Sequence, residues 1–361
     1  IMSGKRGAFR LSMSPSGHLM AVASAKSGST SELRIFNVAT GRLHAACAVL
    51  HDAFVYDLCW HYFTASAPGM SQCHPLLISC SSDCTVQVYE VPEDHTASAF
   101  GASLLRPHAR LTLPGHVYSV RPHPVLSVDP KQLVLVCAGH AFGLMLCEMA
   151  RQQHLFGPSK GRWVASPPYM HPITYDVRNA QAALVIQKPP WEMDAASALR
   201  STLGRARAET QAQERPADVL CVRFSSQATS PDNFYATDSE GHVMLFQVRF
   251  DPAAEAGRGG IRGTLVRAYS APFLQGVPVY SMEVVTRQLL NGRRLSQLQL
   301  STVDDWVLTF SRDHVVRLSS LQRGVMRVEI EFTGLQCASY PVRGMMSPDG
   351  AYVACGSESG E

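Results

Sequence analysis

Charge is scarce in this 361-residue chain: Asp, Glu, Lys and Arg make up 17% of it, against roughly 25% in an average globular protein. That shortage argues against a helical bundle, whose solvated faces consume charge, while 46% hydrophobic residues place many positions on buried strands. A block of five or six basic residues is also missing, and the net charge of +3 is spread along the chain. Nucleic acid and anionic membrane surfaces are therefore not the expected partners. No apolar run approaches the roughly 18 residues of a membrane span. The start, Ile1-Met-Ser-Gly-Lys-Arg6, lacks the apolar centre of a secretory signal.

Catalytic signatures are missing as well. There is no phosphate-cradling glycine loop, no Gly-x-Ser-x-Gly elbow and no His-Glu-x-x-His helix, so the reading is no enzyme and no cofactor. Cys73, His74, Cys80 and Cys84 are the one grouping that looks metal-like. Their spacing is not a two-residue knuckle, so no metal is expected. Asp304 and Asp305 are adjacent, and neighbours on a strand point to opposite faces; they read as a turn into Trp306. The ten cysteines lie mostly in or beside apolar strands, as Cys59, Cys80, Cys137, Cys147 and Cys355 do. They suit reduced thiols acting as small hydrophobes, which implies a reducing compartment and a soluble, cytoplasmic protein.

What the chain has in quantity is short β-strands. Leu76 to Ser79 is apolar, Ser81 to Cys84 is a tight polar turn, and Val86, Val88 and Val91 place β-branched residues on one face. Upstream, His51 precedes another strand that runs to Trp60. The same first strand recurs six times, beginning at Phe9, Val55, Val117, Val219, Val279 and Val342. Two copies run into near-identical turns, Ser14-Pro-Ser-Gly17 and Ser347-Pro-Asp-Gly350, where proline presets one dihedral and glycine accepts a positive one. Third strands start near Leu33, Val86, Leu144, Val243 and Val315, and outer strands at Leu43, Ala109, Leu265 and Val325.

Four strands per unit, at a period of roughly 40 to 60 residues, define an all-β propeller. Residues 1–361 read as one domain of about six to seven degenerate blades, incomplete in this chain. The missing strands are expected from before Ile1, from after Glu361 or from a partner. Such a fragment should unfold less cooperatively than a closed ring, because open ends leave strand edges and apolar faces uncovered.

The repeat resembles the WD40 family, in which a histidine, a Ser or Thr, an Asp and a Trp form a hydrogen-bonded set. That resemblance assigns a structural set to His51, Ser81, Asp83 and Tyr89, with tyrosine where the family has tryptophan. Phe36, Cys147, Phe246 and Leu318 occupy the tryptophan position elsewhere, so packing must hold those blades. Within the family, the chain is most similar to the jouberin group of ciliary WD40 proteins. The carriers include Gly7 to Ala21, Tyr56-Asp-Leu-Cys-Trp60, Val117 to Pro124, Gly276 to Ser281 and Gly350 to Glu358. The SH3 domain of long animal members is absent. The resemblance implies a protein-interaction scaffold at the base or axoneme of a cilium or flagellum, with other ciliary or cytoskeletal proteins as partners. A structural component of axonemal doublet microtubules and a substrate-recruiting adaptor of a ubiquitin ligase are the alternatives.

One long insertion, residues 150–216, separates the third and fourth blades by more than a blade loop requires. Its first part is rich in proline and aromatics and reads as carrying an outer strand over 183–187. Its second, from Asp194 to Gln213, reads as a capped helix with Leu199 and Leu203 on one stripe. Trp163, Tyr169, Tyr175 and Trp191 are the candidate partner-binding residues, because each aromatic can bury roughly 150–250 Å². The competing reading is a local cap over the edge of the third blade. A smaller insertion, Arg287 to Gln297, reads as a solvated loop around Arg293 and Arg294.

Overall fold

The computed structural model describes residues 8–27, 30–63, 75–91, 103–127, 132–152, 162–177, 217–225, 230–250, 261–269, 271–285, 305–338, 341–347 and 349–359. Two compact units divide the chain, Ile1–Ile173 with Phe250–Arg262 and Thr174–Arg249 with Gly263–Glu361. The described residues are strands and turns, with one short 3-10 turn at Pro272–Leu274. None of their helices is long and apolar enough to cross a membrane.

Each repeat copy opens an antiparallel sheet. In the first unit, the first sheet comprises β1 (Ala8–Met13), β2 (Leu19–Ser27), β3 (Thr30–Asn37) and β4 (Leu43–His51). The second begins with β5 (Val55–His61), β6 (Leu76–Ser81) and β7 (Thr85–Glu90). The chain then crosses back, and β8 (Ser103–Leu104) lies parallel to β4 as a fifth strand of the first sheet. It returns to close the second sheet with β9 (Ala109–Thr112). The third sheet is β10 (Val117–Pro122), β11 (Gln132–Gly139), β12 (Gly143–Gln152) and β13 (Arg162–Ile173). Most of the fourth sheet falls in the second unit: β14 (Val219–Phe224), β15 (Asn233–Asp238), β16 (Val243–Phe250) and β17 (Ile261–Tyr269). The fifth is β18 (Val279–Val285), β19 (Asp305–Ser311), β20 (Val316–Gln322) and β21 (Val325–Phe332). A two-stranded sheet, β22 (Gly344–Met346) with β23 (Val353–Cys355), follows.

The six expected first strands are thus β1, β5, β10, β14, β18 and β22. Gly17 and Gly350 take the positive φ that their turns require, +74° and +67°. Apolar residues alternate along the strands, so each sheet has faces to bury. One face of the first sheet packs Leu19, Ala21, Leu33 and Ile35 against Leu58, Trp60, Leu77 and Tyr89 of the second. The second and third sheets share another core, in which Ile78, Val86 and Val88 meet Val120, Leu133 and Leu135. Cys59, Cys80, Cys137 and Cys147 lie buried in it as free thiols, while Cys355 is an exposed thiol on β23, unlike the apolar role expected of it. Asp305 likewise departs from expectation. It is buried on β19 and accepts bonds from Tyr235 Oη (2.7 Å) and Ser225 Oγ (3.1 Å), which satisfies a carboxylate that would otherwise be costly to bury.

The insertion also resolves differently. Its first part is the outer strand of the third sheet, β13, paired with β12 over residues 162–173. The outer strand of the insertion was expected at 183–187 instead; prolines are tolerated in β13 because one row of an outermost strand's N–H groups faces away from the ladder. Register jumps from Cys147↔Met170 to Met149↔Ala165, so 166–169, Ser-Pro-Pro-Tyr, bulge out of the pairing. The expected strand at 183–187, the helix from Asp194 to Gln213 and the Arg287–Gln297 loop lie outside the described residues, as do Cys73 and His74. Among the described residues no group of three or more His, Cys, Asp or Glu side chains could hold a metal ion.

Candidate functional site

The second sheet carries the hydrogen-bonded set, with one change of membership. His51 Nδ1 faces Asp83 Oδ2 at 2.9 Å, which places the ring proton on that nitrogen and leaves Nε2 to accept from Ser79 Oγ at 2.8 Å. Ser79, not Ser81, is therefore the serine of the set. Ser79 and Ser81 share a face of β6, and the one nearer the strand centre reaches the buried imidazole. Ser81 Oγ instead accepts the backbone N–H of Asp83 (3.1 Å) and shapes the turn. Asp83 also accepts Thr85 Oγ1 (2.6 Å) and the Thr85 N–H (3.0 Å). Burial opposes ionisation of Asp83, but the hydrogen bonds from His51 and Thr85 together outweigh it and lower its pKa to about 2. Tyr89 is fully buried and donates to Gln87 Oε1 at 2.7 Å. Burial, then the Cys47 thiol beside it, pushes its pKa up.

This set holds a sheet together. Asp83→Ala is expected to lower stability by about 1–3 kcal/mol, the cost of leaving a buried hydrogen-bonding group without its partner. Binding measured below the melting transition should persist. Lost binding at an unchanged melting temperature would make Asp83 a contact residue.

The candidate binding aromatics do not come together. Trp163 and Tyr169 belong to β13, Tyr169 within its bulge, and Trp191 lies outside the described residues. Tyr175 packs its ring edge-on against Phe246 (centroids 5.1 Å apart, 81°), which in turn stacks on Phe234 at 5.2 Å. Its buried hydroxyl has no hydrogen-bond partner among the described residues, and burial raises its pKa. Tyr175 is thus part of the packing that replaces the tryptophan-centred set around Phe246.

A further feature of the aligned repeats lies on the first strands. In five sheets the pairing of the first and second strands slips by one residue at the start, skipping Phe9, Tyr56, Tyr118, Leu220 and Tyr280. Such a bulge re-aims the skipped side chain. In the first unit the re-aimed rings meet by way of Phe54, which precedes β5: Phe9 lies 4.0 Å from Phe54, Phe54 5.6 Å from Tyr56, and Tyr56 4.9 Å edge-on from Tyr118. All four rings are half-exposed. They form an aromatic arc across three sheets.

Directly after the bulge comes the buried charge. Asp57, wholly enclosed on β5, binds Arg10 of β1 through Nε (3.2 Å) and Nη2 (3.1 Å) at Oδ1. Its Oδ2 accepts Ser119 Oγ (2.9 Å) and Arg121 Nη1 (2.7 Å) from β10. One carboxylate thus ties three first strands together beneath the arc. Farther along β5, His61 Nε2 donates to the Ser127 carbonyl at 2.7 Å. Burial lowers its pKa below 6.5, and the Ser127 bond offsets this only in part. Because the folded value is the lower one, His61 contributes its full stability above about pH 6.5, lost as pH falls toward the folded value. His61→Gln should therefore flatten the loss of urea midpoint between pH 7.5 and 5.5. An unchanged slope would exclude this role.

The pattern of the WD domain, G-beta repeat family matches residues 49–90, the stretch that holds β5 to β7 with His51 and Asp83. Two solved structures are similar along almost the whole chain. The β-propeller domain of Myceliophteria thermophila Cps50 (Swd1) is 12% identical with a TM-score of 0.51, and the match covers 99% of this chain and 81% of that one. A chain of the mitotic checkpoint complex is 10% identical with a TM-score of 0.51, covering 99% of this chain and 74% of that one. No curated protein matches the sequence. Antiparallel four-stranded sheets, a WD40 repeat and β-propeller neighbours define the class: an all-β protein of the WD40 propeller type. Neither the family match nor these structures single out the jouberin group within it.

Proposed function

We propose that the chain is a non-enzymatic scaffold that binds other proteins at the base or axoneme of a cilium or flagellum. WD40 propellers are in general interaction scaffolds, and the observation that supports a binding role here is the half-exposed arc of Phe9, Phe54, Tyr56 and Tyr118. Aromatic side chains dominate interface energetics because each offers a large apolar area with few rotamers to freeze. The ciliary setting rests on the sequence likeness to the jouberin group described above.

Tagged protein followed through detergent extraction of cilia tests the setting. Concentration at the base of the extracted axoneme is the expected result. Even retention along the axoneme would favour a structural component of doublet microtubules, and release with the soluble fraction would overturn the ciliary scaffold in favour of a soluble adaptor.

A further inference from the structure

The turn between β15 and β16, Asp238-Ser-Glu-Gly-His242, is wound around one buried carboxylate. Asp238 is 1% exposed. Its Oδ1 accepts the N–H groups of Glu240 (3.0 Å) and His242 (2.8 Å), and its Oδ2 accepts the proton on His242 Nδ1 at 2.8 Å. The same turn is a joint. The Ser239 N–H is bonded to the Asp218 carbonyl ahead of β14, and the Gly276 N–H to the Glu240 carbonyl, both at 2.9 Å. Gly241 passes close beneath the Leu274 carbonyl, where a Cβ would not fit. Residues 272–277, gripped in this way, carry the chain from β17 of the fourth sheet to β18 of the fifth.

We propose that the Asp238–His242 pair makes this joint pH-sensitive: the charged imidazole clamps the 272–277 turn, and loss of that charge loosens the connection between the fourth and fifth sheets. Neutral His242 can still donate from Nδ1, but a hydrogen bond between charged groups is the stronger one, and the enclosed carboxylate loses its counter-charge. The hydrogen bond to Asp238 raises the pKa of His242 above 6.5; burial opposes the rise, and the charges of Asp238 and Glu240 add to it. Glu240 is exposed on the same turn. From the neighbouring elements come Asp218 and Tyr175, whose hydroxyl feels the Asp238 charge, while residues 272–277, Pro-Phe-Leu-Gln-Gly-Val, carry no titratable side chain. Because the folded value is the higher one, the pair contributes its full stability below about pH 6.5, lost as pH rises through the folded value. His61 in the first unit has the opposite sign.

Hydrogen exchange at the Gly276 amide, corrected for the intrinsic pH dependence of exchange and read between about pH 6 and pH 8, tests this, since local opening sets protection. In the intact chain, protection should fall toward the alkaline end along the same curve as the titration of the His242 ring. In His242→Gln it should be level. Glu240→Gln removes one of the charges that hold the ring proton and keeps the Asp238 bonds. It should move the ring titration and the loss of protection together to lower pH, a shift that a merely structural turn would not give. If His242→Gln fails to fold, the Glu240 variant decides alone. Level protection in the intact chain, an equal fall in His242→Gln, or no shift in Glu240→Gln overturns the proposal.

Discussion

Asp57→Ala is expected to destabilise the first unit by about 3–5 kcal/mol, the range for removing one partner of a buried ion pair. The cause is what remains. Arg10 and Arg121 would face each other across an enclosed site without the carboxylate that both bind, and Ser119 would lose its acceptor. Side chains of Arg10 and Arg121 keep 15% and 16% exposure, so water reaches them and the effect should fall in the lower half of that range. Asp57→Asn retains an acceptor for Ser119 and should cost less than half as much. Urea unfolding monitored in the first unit measures both. Equal effects of the two substitutions would show that charge is not what the site needs.

Gly241→Ala is the other large effect, and it acts through the backbone. Gly241 has a φ of +86°, and a Cβ there would stand 1.8 Å from the Leu274 carbonyl oxygen and 3.0 Å from that of Val277. Leu274 is fully buried, and the N–H of Gly276 is bonded to the Glu240 carbonyl, so the opposing backbone has no room to retreat. Positive φ alone costs a non-glycine residue about 1–3 kcal/mol, and displacing the 272–277 turn adds to it. Gly17→Ala is the control: its φ is +74° and its Cβ would meet nothing within 4 Å. The Gly241 variant should lose clearly more of its unfolding midpoint than the Gly17 variant. Equal losses would mean that the turn yields.

Much of the fold was legible because strands leave a short-range signal. Val86-Gln-Val-Tyr alternates at a period of two, and Ser14-Pro-Ser-Gly17 states its own turn geometry, so strand positions and the repeat followed from the residues alone. The serine of the His51 set was misplaced by one strand period, since Ser79 and Ser81 share a face and only distance to the imidazole separates them. The arc and the Asp57 cluster were present in the aligned column Phe9-Arg10, Tyr56-Asp57, Tyr118-Ser119. Reading them required knowing that a bulge turns the first residue outward and brings the second, from three strands distant in sequence, to one point. Long-range convergence of this kind has no local signature. The outer strand of the insertion was expected at 183–187, whereas β13 spans Arg162–Ile173: the prolines there blur the strand signal, and only an outermost position in the sheet tolerates them.

Phe9→Ser combined with Tyr118→Ser, scored at once for recruitment and for thermal unfolding, tests the claim that this chain works through the aromatic arc. Both rings are half-exposed, so the substitutions spare the core. The account predicts that the tagged variant no longer concentrates where the unaltered chain does, at an unchanged melting temperature. Recruitment that survives the loss of both rings in a folded protein would contradict it.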